Sequence, residues 1–106
     1  MAGLVILGVS AALLAQADDA NQNYVECMFS VARNAPADMP EGPLSDLLHR
    51  SCQRERSGLH AVTVQIRTQR GSSPSQAEAE WRQLEQNTVA SIVRAHYQAG
   101  RLGSTR

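Results

Sequence analysis

The chain contains no lysine, and its ten basic residues, all arginine, are balanced by ten acidic ones. A protein that binds nucleic acid carries a basic excess, which displaces counterions from phosphate. No such excess exists here, so no nucleic-acid partner is expected. Aromatic rings are scarce as well: Trp81, Phe29, Tyr24 and Tyr97 are the whole supply. Sugar-binding and base-stacking surfaces need exposed rings, which argues against both. The arginine-only basic content, with abundant alanine, is what codon bias in a GC-rich coding sequence produces.

Long apolar runs are also missing. The longest, Leu4 to Leu14, is about eleven residues, whereas a membrane helix needs roughly 20. That length fits the apolar core of a secretory leader. Residues 1–17, MAGLVILGVSAALLAQA, carry no charged side chain. Ala15-Gln16-Ala17 supplies the small-x-small pattern read by signal peptidase, and Asp18-Asp19 opens a polar segment. The sequence therefore predicts a signal peptide over 1–17, one small domain over 18–100 and a flexible tail over 101–106. The lack of an arginine ahead of the apolar run is the one poor fit. Export places the chain in the periplasm or outside the cell, with no stable membrane span after cleavage.

Only two cysteines are present, Cys27 and Cys52. Cysteines outside the cytosol tend to oxidise, and two allow a single internal bridge. No CxxC, CxxCH, HExxH or GxSxG pattern occurs, nor a glycine loop that cradles phosphate. The residues therefore assign no catalytic group, no metal site and no cofactor. His49-x-x-Cys52 has the spacing of two ligands on one helix face, but zinc sites usually want four such groups. His60 lies too far along the chain to share an ion with His49, and His96 belongs to another segment.

What remains is helical patterning. From about Asp19 to Ala35, the apolar residues Tyr24, Cys27, Met28, Val31 and Ala35 recur at spacings of three and four. Pro36, Pro40 and Pro43 then force a loop. A second segment starts near Pro43 and carries the stripe Leu44, Leu48, Cys52, Leu59, Val62 and Ile66. It ends at Gly71, a helix cap by type and position. Gly58 is a weak point in its middle, and Val62–Thr68 alternates like a strand, yet no second strand exists to pair with it. A third segment opens on Ser73-Pro74-Ser75-Gln76, which has the form of a capping box. It runs to about Gly100 with Ala77, Trp81, Leu84, Thr88, Ile92, Ala95 and Ala99 as its stripe. Acids lie early and arginines late in each segment, as the helix dipole favours.

The expected fold is all-α: an antiparallel helical hairpin tied by one disulfide, with a third long helix packed on it. Counting supports the tie. At about 1.5 Å per residue, Cys27 and Cys52 each lie roughly 12–14 Å from the connecting loop, so they fall level. The next turn puts Tyr24 opposite Glu55, the one acid on an apolar stripe. That pair forms a candidate buried hydrogen bond, with Arg94 as the other possible partner for Glu55. Val89 and Val93 give the third helix a second apolar edge. With Trp81 they form the candidate interaction surface.

The function expected from these features is that of a small exported helical interaction or accessory module, chaperone-like in plan and not an enzyme. Its partner would be another envelope or secreted protein, or a second copy. The competing class is a small ligand- or metal-binding protein using His49, His60, His96 and Glu55.

Overall fold

The computed structural model describes residues 9–104 of the chain. Four helices and no strand form among them: α1 (Ala11–Asn34), α2 (Glu41–Ser51), α3 (Gln53–Gln69) and α4 (Pro74–Ser104).

Helix α1 begins well before Asp19. Ser10 caps it, its Oγ accepting from the Leu13 N–H at 3.1 Å. No proline or glycine separates Ser10 from Asp19, so nothing interrupts the helix between them. Residues 9–17 of the expected leader thus include the first turns of α1, and Leu13 joins the core at 8% exposure. Residues 1–8 of that leader lie outside the described residues. The helix ends at Ala35, whose backbone is extended (ψ 150°), as the residue before a proline prefers.

The second expected helix is divided, but not at Gly58. Cys52, with φ −111° and ψ 26°, both closes α2 and opens α3. Hydrogen bonding still passes through it, from Cys52 N–H to Leu48 C=O at 3.0 Å and from Arg56 N–H to Cys52 C=O at 2.9 Å. The departure from helical geometry therefore falls at the residue that meets α1. Gly58 costs a helix only about 1 kcal/mol, and the burial of Leu59 and Val62 beside it keeps the turn helical. The Val62–Thr68 stretch is helical for the same reason: Leu59, Val62 and Ile66 hold one buried face.

Two caps separate α3 from α4. Gly71 takes φ +100°. Its N–H bonds the Thr68 carbonyl at 3.1 Å, and the Ser72 N–H bonds the Arg67 carbonyl at 3.0 Å. This is the Schellman pattern. Next comes the capping box: Ser73 N–H to Gln76 Oε1 at 2.9 Å and Gln76 N–H to Ser73 Oγ at 3.2 Å. Helix α4 then continues past Gly100 to Ser104, so most of the expected tail is helical; residues 105–106 lie outside the described residues.

The core is one layer shared by all four helices. Tyr24, Met28, Leu44, Leu48, Cys52 and Trp81 are its most deeply buried side chains. Helix α1 packs on α2, α3 and α4, and α4 also packs on α2 and α3. The first turns of α1 (Leu14, Ala17, Asp18) share a hollow with the last turns of α3 (Ile66, Arg67, Arg70).

Candidate functional site

Cys27 and Cys52 stand at disulfide distance, with Cα atoms 5.9 Å apart. Cys52 is fully buried and Cys27 half-buried. Tyr24 on α1 and Glu55 on α3 each lie about one turn beyond the cysteine pair, but the expected hydrogen bond between them does not form. The Tyr24 hydroxyl and Glu55 Oε2 are both buried without a partner, as is Trp81 Nε1. Nor does Arg94 pair with Glu55; neither residue takes part in an ion pair among the described residues. The charges acting on Tyr24 are Glu85 and Arg56. Burial pushes the phenol up to about 12, Glu85 adds to the rise and Arg56 opposes it. Burial disfavours the phenolate because a charge loses its hydration there.

Between α3 and α4 runs a ladder of charged contacts that sequence reading missed. Arg56 pairs with Glu85, His60 with Glu78 and Arg67 with Glu80. His60 Nε2 donates to both Glu78 oxygens, at 2.9 and 3.0 Å. Trp81 sits in the middle of this ladder. The His60 ring stacks on it with centroids 4.9 Å apart, and the Arg56 guanidinium carbon lies 5.9 Å from the ring centre. That distance is within reach of cation–π attraction. The cluster joins α3 to α4; Arg56 and Glu85 are its most covered ion pair, while the Arg67–Glu80 pair stands open to solvent.

Two of the three residues expected to form an interaction surface are therefore buried. Trp81 is 1% exposed and Val93 4%. Both face inward because α4 turns the Val93 edge of its stripe toward α1 and α2. Val89 is half-buried and borders a shallow hollow with Glu41, His49 and Glu85. Among the described residues, the large apolar side chains left outside are Leu14, Phe29 and Leu84, at 42, 39 and 37% exposure.

Phe29 and Leu84 lie along the seam between α1 and α4, and Leu14 borders the hollow between α1 and α3 at one end of it. Leu14 and Leu84 share one hollow, Leu84 and Phe29 the next. Phe29 then borders a groove of about 640 Å³, lined by Ala32, Ile92, Ala95 and Ala99. Loop 35–40 closes its far end. Two hydrogen bonds pin that loop to α4: Tyr97 Oη donates to the Met39 carbonyl at 2.7 Å, and His96 Nε2 donates to the Pro36 carbonyl at 3.1 Å. The groove is therefore shaped by the fold before anything enters it.

The histidines are dispersed. His49 is on the exposed side of α2, His60 lies against Trp81 and His96 is tied to the loop. No three His, Cys, Asp or Glu side chains come together among the described residues. No described helix is long and apolar enough to cross a membrane. No protein-family model, curated protein or solved structure matches the chain.

Proposed function

We propose that the chain is an exported, non-enzymatic binding module, an antiparallel helical hairpin with a long third helix, and that its binding face is the α1–α4 seam. The observation that carries this reading is the pair of exposed side chains Leu84 and Phe29 on that seam, sharing one hollow, with Phe29 also bordering the next. Scattered single apolar residues are ordinary on protein surfaces, whereas a contiguous exposed strip is a feature of interaction sites. The cysteine pair at disulfide distance fits an oxidising compartment. The partner is then another envelope or secreted protein, in the periplasm or beyond the cell. Cleavage after Ala17 removes Leu14 from the end of the seam but leaves Leu84 and Phe29.

Binding of an environment-sensitive hydrophobic dye tests the face. The wild-type protein should bind it, and Phe29→Ser with Leu84→Ser should abolish the signal without loss of helicity. A wild-type protein that ignores the dye at neutral and acidic pH sinks the reading. Export is tested separately by the intact mass of protein recovered from an exporting bacterium: residues 1–17 absent, and two hydrogens fewer than the dithiol.

A further inference from the structure

We propose that the groove between Phe29 and Gly100 is a ligand site for a medium-length aliphatic chain bearing an anionic head, with Arg33 binding the head. The proposal deepens the reading of the α1–α4 seam as a binding face and rests on it.

Size is the first argument. Ligand pockets occupy about 300–1,000 Å³ and are mostly apolar; this groove offers about 640 Å³. Along α4 it runs from Ile92 to Gly100, roughly 12 Å at the helical rise. That length accommodates an extended alkyl chain of medium length. Chemistry of the lining agrees: alanines and Ile92 offer dispersion contact and no hydrogen-bonding group. At the far end Gly100 comes near Ala37, so that a Cβ placed there would lie 3.7 Å from the Ala37 Cβ. The groove is thus stopped at one end.

Charge is the second argument, and it selects the head group. Among the described residues, Arg33 and His96 are the only titratable side chains lining the groove, and no carboxylate borders it. Arg33 has no acidic partner there, whereas Arg56 and Arg67 do. The His96 Nε2–H is already committed to the Pro36 carbonyl, so the guanidinium is the free donor. An anion on this rim meets a planar fork suited to a carboxylate. The carbonyl end of α1 opposes an anion, so recognition must come from Arg33 itself. The groove lies at the end of α1 remote from the leader and is unaffected by cleavage after Ala17.

The test is calorimetric titration of the full chain with dodecanoate below its micellar concentration. Saturable one-to-one binding is expected. Arg33→Glu should weaken it at least tenfold. Ala99→Phe, which fills the groove from an exposed position, should abolish it while circular dichroism stays unchanged. His49→Gln, outside the groove, should bind as wild type does. Dodecyltrimethylammonium should bind at least tenfold more weakly than dodecanoate. Equal binding of the two heads, indifference to Arg33→Glu, or no dodecanoate binding overturns the proposal. So does a stable dimer in sedimentation that buries Phe29. If dodecanoate fails while the dye response still depends on Phe29 and Leu84, the ligand assignment falls and the binding face stands. If both fail, both fall.

Discussion

The imidazole of His60 lies flat on the indole of Trp81, 4.9 Å between centroids and 18° between planes. The same ring donates from Nε2 to Glu78. Stacked rings of this kind are worth about 0.5–1.5 kcal/mol beyond their buried area. His60→Ala should therefore lower stability by about 1 kcal/mol in urea denaturation. Trp81 is the chain's only tryptophan, so its emission reports the contact directly. Removing the stacked ring opens one face of the indole to water, so His60→Ala should shift the emission maximum to longer wavelength. An unchanged spectrum in the variant would mean that the ring does not cover the indole in solution.

Tyr24 gives the fold a limit at high pH. Its hydroxyl is buried and unpartnered, and its pKa is raised to about 12 from an ordinary 10.0. Below pH 10 the phenol is neutral in folded and unfolded chains alike, and its contribution to stability is complete. Between pH 10 and 12 the unfolded chain loses the proton first, and stability falls by up to about 3 kcal/mol. Tyr24→Phe should remove this loss. It should also raise stability at pH 8 by about 1 kcal/mol, because an unpartnered buried hydroxyl is replaced by apolar surface. Denaturation curves of both proteins at pH 8, 10 and 12 decide the matter.

The Cys27–Cys52 pair closes a sequence separation of 25 residues. In the chain-entropy account a bridge of that span stabilises by roughly 3–4 kcal/mol, a large share of what a small one-layer core supplies. Cys27→Ser with Cys52→Ser should lose about that much in urea, and reductant should do the same to the wild type. A wild type indifferent to reductant would show that no bridge constrains it.

Local chemistry was legible in the sequence; relations across the chain were not. Ser73–Gln76 and Gly71 signal their caps within a few residues, and both caps form as read. The match of Cys27 to Cys52 followed from helical rise alone. By contrast, the bend at Cys52 arises where two helices meet, and no residue preference marks it. Arg56–Glu85 and His60–Glu78 join residues 29 and 18 apart, beyond any helical spacing. On α4 the stripe was wide enough to be turned either way. Leu84 and Ala99 were placed inside and Val93 at an outer edge; the packing of α1 and α2 exposes the first two and buries the third. That rotation is why the seam at Phe29, and not Trp81, became the candidate face. The start of α1 was missed because its first turns also read as a leader.

Gly58 and Gly71 differ in a way that predicts opposite outcomes for the same substitution. Gly58 lies inside α3, and a Cβ there would meet nothing within 4 Å. Its φ is not positive, so alanine fits without strain and lowers the conformational entropy of the unfolded chain. Gly58→Ala should stabilise by about 0.5–1 kcal/mol. Gly71 is equally open, with nothing within 4 Å of its Cβ position, but its φ is +100°. Alanine resists that backbone by about 1–2 kcal/mol. The strain would fall on the cap that directs α3 into Ser73, so Gly71→Ala should destabilise by that amount. Urea midpoints of the two variants against wild type should move in opposite directions. A shift of the same sign at both positions would mean that α3 ends differently, and that Gly71 is not its cap.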